Sequence, residues 1–132
     1  MLGEQICESR GKRIVRRVLA VDPISIEVSF EDGGKLLGVD YSGFGTYSAE
    51  LRQDGTLYGE GRGGAATTDG EMVTWQGSAV GRIKEGGGIS YRGMLYYRTT
   101  SKKLARLNGV AGAFEFEADA KGDLQSKVWE WR

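Results

Sequence analysis

Short turn signals recur along the chain and separate segments that are rich in β-branched and aromatic residues. An Asp-Gly pair between such segments is a strong hairpin signal, because a type I′ turn needs positive φ at both central residues. The signals are Asp32-Gly-Gly34, Ser42-Gly43, Asp54-Gly55, Asp69-Gly70, Gly86-Gly-Gly88 and Lys121-Gly-Asp123. A chain divided in this way is predicted to fold as consecutive antiparallel hairpins.

Nine strands are predicted between these turns, at residues 12–21, 24–30, 36–41, 45–52, 56–64, 72–83, 89–98, 110–118 and 124–131. The segment from Ser101 to Gly109 differs, because Ser101 suits a helix N-cap and Asn108-Gly109 suits a C-cap. One short helix is predicted there. The even spacing of the strands predicts a single domain over residues 1–132.

Glycines inside the predicted strands favour closure of the sheet into a barrel. An open sheet of this many strands exposes two long edges, and closure removes them. Glycine weakens a flat strand but permits the sharp bends of a barrel wall. Such glycines are Gly59, Gly61, Gly77, Gly81, Gly93 and Gly112. The predicted fold is all-β, a closed or nearly closed antiparallel meander barrel of eight or nine strands with one short helix.

Two hairpins centred on Asp69 and Gly86 predict a common register in which Gly61 lies opposite Gly77 and Trp75 opposite Tyr97. Because side chains alternate across a strand, one face of both hairpins becomes the interior. That face carries Leu57, Gly59, Gly61, Val73, Trp75, Gly77, Ala79, Gly81, Ile83, Ile89, Tyr91, Gly93, Leu95 and Tyr97. Its glycines leave a patch without side chains, which an aromatic ring, the short helix or a small ligand could fill.

The leading functional prediction is a non-enzymatic barrel that binds a small hydrophobic or aromatic molecule in its interior. The candidate ligand-binding residues are Trp75, Tyr91, Tyr97, Tyr47 and Tyr41. A cyclase or isomerase is the second hypothesis, because an aromatic cavity can fix a substrate's conformation without histidine or metal. Glu60 is its one weak catalytic candidate. The sequence does not decide whether Glu60 and Arg62 face the interior or the solvent.

The lack of histidine and the single cysteine, Cys7, exclude several kinds of chemistry. Ser-His-Asp and Cys-His nucleophile systems, His-containing zinc sites and thiolate clusters cannot be built. No cofactor and no metal are predicted. Eighteen Lys plus Arg residues balance eighteen Asp plus Glu residues, so neither a nucleic acid nor a membrane is predicted as a partner. The N-terminus lacks the pattern of a signal peptide, and the prediction is a soluble cytoplasmic protein.

Two surface features bear on partners. The basic run from Arg10 to Arg17 predicts either an anion-binding patch or an amphipathic strand. In the second interpretation the apolar residues pack, and these are Ile14, Val15, Val18 and Leu19. Trp129 and Trp131 lie on one side of the last strand, where they either close the core or form an exposed patch. The third functional hypothesis is therefore a structural or interaction protein that forms a homodimer or trimer.

Several short motifs carry a family resemblance. They are Tyr58-Gly-Glu-Gly61, Met72-Val-Thr-Trp-Gln-Gly77, Tyr91-Arg-Gly93, Lys103-Leu-Ala-Arg-Leu-Asn-Gly109, Phe114-Glu-Phe116 and Trp129-Glu-Trp131. Over about residues 34–132 the chain resembles a group of small uncharacterised bacterial proteins with calycin-like barrels of the allene oxide cyclase type. The resemblance implies a barrel architecture. It implies no catalytic residue, since no cavity residue of the cyclases can be aligned with this chain.

Overall fold

A computed structural model of the protein describes residues 1–132 and contains eight antiparallel strands. They are β1 (Leu2–Val21), β2 (Ile24–Leu36), β3 (Val39–Leu51), β4 (Thr56–Thr67), β5 (Met72–Ile83), β6 (Ile89–Arg98), β7 (Ala111–Ala118) and β8 (Asp123–Trp131). Each strand pairs with the next, and β1 pairs with β8 to close a barrel. The predicted closed all-β meander is confirmed, with eight strands.

The first half of the chain contains one strand fewer than predicted. Asp32-Gly-Gly34 lies inside β2 and Ser42-Gly43 lies inside β3, so neither segment forms a turn. The connection is instead at Leu37-Gly38, where both residues have positive φ, 49° and 81°. A leucine in this conformation is uncommon, and the sequence therefore did not indicate the turn. The other predicted turns are confirmed, because their glycines have positive φ; these are Gly55, Gly70, Gly86 and Gly122.

Strand β1 begins ten residues earlier than predicted, at Leu2. Residues 2–12 pair with β8 on one side, and this pairing closes the barrel. The remaining part of β1 pairs only with β2, and its other edge is free. This part contains most of the basic run, and its four apolar residues are about half exposed or more. The prediction of a strand is correct there, whereas the expectation that Ile14, Val15, Val18 and Leu19 pack is wrong.

The predicted helix is reduced to a short 3-10 helix over Ala105–Gly109 in the connection between β6 and β7. The Ser101 hydroxyl accepts a hydrogen bond from the Leu104 N–H at 3.2 Å. Leu104, Leu107 and Val110 are buried and pack into this end of the barrel against residues such as Tyr97. This helix is too short to cross a membrane, and the structure has no other helix.

The predicted register of the two central hairpins is confirmed. Gly61 pairs with Gly77 across β4 and β5, and Trp75 pairs with Tyr97 across β5 and β6. The predicted inner face is the one with the buried positions, including Val73, Tyr91 and Leu95. Ile83 departs from the pattern because it is the last residue of β5, where 57% of its surface is exposed.

Candidate ligand cavity

The interior of the barrel, here called the lumen, contains a cavity of about 100 Å³. Hydrophobic residues form most of its wall. The five residues that the sequence predicted as ligand-binding all line this cavity, and they come from three strands. They are Tyr41 and Tyr47 on β3, Trp75 on β5, and Tyr91 and Tyr97 on β6. The barrel therefore brings together side chains that are far apart in the sequence.

Five aromatic rings that point into the lumen contact one another and form an aromatic cluster. Its members are Phe30, Tyr47, Trp75, Tyr91 and Phe116. The rings of Tyr47 and Tyr91 meet edge to face with centroids 5.6 Å apart, and the Tyr47 and Phe116 rings do so at 5.8 Å. These are favourable aromatic geometries. The cluster therefore forms an apolar wall with defined ring orientations.

The glycines of the inner wall make room for two of these rings. A Cβ atom at Gly63 would lie 2.5 Å from Cζ2 of Trp75, and one at Gly81 would lie 2.6 Å from Cδ1 of Tyr91. Real Cβ atoms do not approach so closely, so any larger residue would displace the ring. The sequence analysis named an aromatic ring, the short helix and a ligand as groups that could cover the glycines. Aromatic rings are the groups that occupy the space over Gly63 and Gly81. The short helix covers the end of the barrel instead.

A polar group lies at the side of the lumen formed by β1, β2 and β3. The Cys7 thiol donates to the Tyr41 hydroxyl at 3.5 Å, and the Tyr41 hydroxyl donates to Oδ2 of Asp32 at 3.2 Å. Ser9 is buried next to the same carboxyl group. Cys7, Ser9, Asp32 and Tyr41 are here called the polar cluster, and all four line the cavity.

Burial controls the protonation of the polar cluster. It raises the pKa of the Cys7 thiol to about 11 and raises the pKa of Tyr41 far above its usual range. Burial also raises the pKa of Asp32, although hydrogen bonds from Tyr41 and Ser9 oppose this effect. The thiol and the phenol are thus neutral at pH 7, and Asp32 is the most acidic group of the cluster.

Two tyrosine hydroxyls in the aromatic cluster differ in their surroundings. The Tyr91 hydroxyl is buried and has no hydrogen-bond partner. Such a group loses its bonds to water without replacement, which is rare in folded proteins. Burial raises the pKa of Tyr47 to about 12, while the nearby Arg13 and Arg16 act in the opposite direction. The Tyr91 hydroxyl is therefore a buried polar atom whose hydrogen-bonding capacity the protein leaves unused.

The structure places Glu60 on the outer wall. Its side chain is exposed, and its Oε1 accepts a hydrogen bond from the Tyr58 hydroxyl at 3.1 Å. Arg62 is exposed on the same face of β4. The alternation of β4 directs Gly59 and Gly61 inward, so the intervening Glu60 carboxylate points away from the lumen. Its candidacy as an acid acting in the cavity is therefore not supported.

The two C-terminal tryptophans lie on the outer surface. Val128 faces the core, and the alternation of β8 therefore directs Trp129 and Trp131 outward. Trp129 is half-buried next to Ala113 on β7, and 58% of the surface of Trp131 is exposed. The expectation that these two rings close the core is therefore wrong, and Trp131 is the exposed one of the pair. No group of three or more His, Cys, Asp or Glu side chains is arranged to hold a metal ion.

Sequence reasoning identified Tyr41 but missed the other three members of the polar cluster, Cys7, Ser9 and Asp32, and two of the aromatic rings, Phe30 and Phe116. Asp32 was assigned to a turn and Cys7 to a segment before the first strand. The signal for Asp32 was the alternation of apolar residues at Val28 and Phe30, which continues to Leu36 if β2 is not interrupted. Phe116 could have been included, because it lies on the side of β7 opposite its glutamates.

No protein-family model and no curated protein matches this chain. Solved structures share its fold. A protein of unknown function from Clostridium acetobutylicum has a TM-score of 0.86 at 10% identity, and 98% of each chain is covered. A conserved protein of unknown function from Rhodopseudomonas palustris has a TM-score of 0.82 at 12% identity, covering 98% of this chain and 97% of the other.

A third similar structure is described as an enzyme from Penicillium herquei. It has a TM-score of 0.68 at 14% identity, covering 98% of this chain and 96% of the other. At these identities the similarity shows a common barrel fold and does not transfer an activity. The chain is thus a small closed β-barrel that resembles two structures of unknown function and one described as an enzyme.

Proposed function

We propose that the barrel binds a small, mostly apolar molecule in its lumen. The observation that carries this proposal is the cavity of about 100 Å³, which both the aromatic cluster and the polar cluster line. A ligand in this cavity would contact apolar rings and polar groups at the same time. The aromatic cluster supplies the apolar contacts, and the polar cluster supplies orientation, as in many small-molecule sites.

The volume limits the size of the ligand. A cavity of about 150 Å³ with an apolar lining can bind benzene. The lumen is smaller, so it suits a compact molecule of a few carbon atoms unless the rings move apart. A long lipid chain does not fit this volume.

Native mass spectrometry of the protein purified from its own host tests the proposal. We expect a retained small molecule that is lost in the Ala65→Leu variant, because Ala65 lines the cavity and a larger side chain fills it. The matched control is Ala66→Leu, since Ala66 is the next residue and is exposed on the outer wall. Equal retention by both variants would contradict binding in the lumen.

A second candidate function is that of a cyclase or isomerase. The observation in its favour is the Tyr41–Asp32 hydrogen bond at the cavity wall, because a carboxylate oriented by a phenol can act as a general base that takes a proton from a bound substrate. The enzyme description of the Penicillium herquei barrel and the resemblance to allene oxide cyclases agree with this candidate. Asp32 replaces Glu60 as the carboxyl group in this version.

The test for the second candidate is incubation of the protein with a metabolite extract of its host. An isomerisation changes the chromatographic position of a compound without changing its mass. We expect such a change with the wild type and its loss in Asp32→Asn. A change that persists in Asp32→Asn, or no change with the wild type, would contradict the role of Asp32.

A further inference from the structure

We propose that the ligand of the lumen is a small protonated amine whose ammonium group pairs with Asp32 and whose apolar part lies against the aromatic cluster. This inference rests on the proposed function, since it requires that the lumen admit a ligand. It adds the chemical class of that ligand. The supporting observations are the surroundings of the Asp32 carboxyl group, the lack of a cation beside it and the nature of the opposite wall.

The Asp32 carboxyl group faces the lumen with hydroxyl donors on one side. Tyr41 donates to Oδ2, and the hydrogen bonds from Tyr41 and Ser9 oppose the rise in pKa that burial causes. Donors of this kind favour the ionised form of a carboxyl group. A carboxylate that takes a cation as a further partner is therefore prepared by these neighbours.

The protein supplies no cation to this carboxylate. None of its ion pairs includes Asp32. On the same hairpin, Lys35 pairs with Asp40 on the outside, and Arg13 and Arg16 influence Tyr47 instead. Buried charges in proteins are normally paired, because desolvation of a lone charge is costly. A ligand with a positive charge would complete the pair.

The remaining wall favours a cation over an anion. Trp75, Tyr97 and the other rings line the same cavity, and the faces of aromatic rings attract ammonium groups. An anionic ligand would instead be repelled by Asp32. A neutral hydrocarbon would satisfy the rings but would leave the Asp32 carboxylate without a positive charge beside it.

The titratable groups that face Asp32 are Cys7, Tyr41 and Tyr97. Burial raises the pKa of each, so none of them carries a charge at neutral pH. Amine binding is therefore expected to weaken as pH falls through the pKa of Asp32, which lies above the usual range. An aliphatic amine stays protonated over this interval and does not contribute to the change.

The experiment compares four probes of nearly the same shape by NMR titration of the protein. Isobutylamine is cationic, isobutanol is a neutral donor, isopentane is apolar, and isobutyrate is anionic. We expect isobutylamine to bind roughly 10- to 100-fold more tightly than isopentane, because a charged hydrogen bond adds to the same apolar contacts. Shifts should occur at Asp32, Tyr41 and Trp75, which line the cavity.

Two variants assign the preference to its source. Asp32→Asn is expected to remove the preference for isobutylamine while isopentane still binds. The matched control Asp40→Asn removes an exposed carboxylate that pairs with Lys35, and the preference should remain. If Asp32→Asn does not fold, the same question is answered with the wild type, whose affinity for isobutylamine should fall on acidification while that for isopentane stays constant.

The outcomes separate this inference from the proposed function. If isopentane or isobutanol binds as tightly as isobutylamine, or isobutyrate binds most tightly, the amine is excluded and binding in the lumen stands. If none of the four probes binds in the lumen, the proposed function fails as well. A preference for isobutylamine that persists in Asp32→Asn would also overturn the inference.

Discussion

The two halves of the barrel interior are filled in different ways. At the end covered by the 3-10 helix, the connection between β6 and β7 inserts Leu104, Leu107 and Val110, and Leu107 is completely buried. In the other half, large rings extend inward over glycines and still leave a cavity with an unpartnered hydroxyl. The first arrangement fills the space beneath the helix, and the cavity begins beside it, where Tyr41 and Tyr97 pack in the same cluster as Leu107 and also line the cavity. The same barrel thus combines a region for stability with a region suited to a ligand.

The largest expected effect is at the covered end. Leu107→Ala removes a fully buried side chain and should lower the free energy of unfolding by about 2–5 kcal/mol. Chemical denaturation measures this loss. Leu107→Met is the control, because a swap of similar volume should cost less than about 1.5 kcal/mol. Equal losses in both variants would show that this end is not packed as described.

A smaller loss of stability is expected when a glycine that lies under an aromatic ring is replaced by alanine. A Cβ at Gly63 would meet both Trp75 and the Phe44 backbone oxygen, at 2.5 and 2.6 Å, so Gly63→Ala should cost about 1–3 kcal/mol. Gly64→Ala is the matched control, since the nearest atom to its Cβ would be 3.8 Å away. Denaturation should find the control as stable as the wild type or slightly more so. Similar values for the two variants would contradict the placement of the Trp75 ring.

Two tyrosine-to-phenylalanine changes should have opposite effects on stability. Tyr91→Phe removes a buried hydroxyl without a partner and should stabilise the protein by up to about 1 kcal/mol. Tyr41→Phe removes the donor to Asp32 and should destabilise it by about 1–2 kcal/mol. Thermal or chemical unfolding distinguishes them. A clear loss of stability in Tyr91→Phe would show that its hydroxyl has a partner in the free protein.

The smallest effect is a dependence of stability on pH. The pKa of Asp32 is raised in the folded state, so the folded protein binds its proton more tightly than the unfolded chain does. The stabilisation of the folded state by this tighter proton binding is complete below the ordinary pKa of aspartate. It is lost as pH rises through the raised pKa of Asp32. The stability of the wild type relative to Asp32→Asn should therefore fall with rising pH from about pH 4.

Asp69 provides a control, because its pKa is shifted in the opposite direction and its effect on stability should therefore change with pH in the opposite sense. Lys103 and Thr67 hold its pKa below the usual value, so its contribution is present at neutral pH and lost on acidification. The stability of the wild type relative to Asp69→Asn should thus rise with pH over the acidic range. Denaturation at a series of pH values checks both slopes. Slopes of the same sign for the two variants would contradict the assigned surroundings of Asp32.

The second half of the fold could be predicted from the sequence because its turns contain Gly at the positions with positive φ. Those turns determine the pairing of Gly61 with Gly77 and of Trp75 with Tyr97, and this pairing identifies the inner face. The first half was harder to predict because the turn at Leu37-Gly38 has a leucine where Asn, Asp or Gly is usual. A false turn at Asp32 then removed this residue from the predicted inner wall.

The candidate site was predictable only in part for the same reason. The aromatic residues of β5 and β6 follow from alternation, and Trp75, Tyr91 and Tyr97 line the cavity together. The contact of Cys7 with Tyr41 joins positions 34 residues apart in the sequence. Such a contact depends on the register of β1 on β2 and of β2 on β3, which a turn placed at Asp32 does not allow.

A crystal structure of the protein under xenon pressure tests the central claim most directly, because xenon enters apolar cavities without needing a chosen ligand. We expect a xenon atom in the lumen, in contact with Trp75 and the rings of the aromatic cluster. A lumen without xenon, in which the rings have closed over the space between Tyr91 and Asp32, would contradict the account of a ligand cavity.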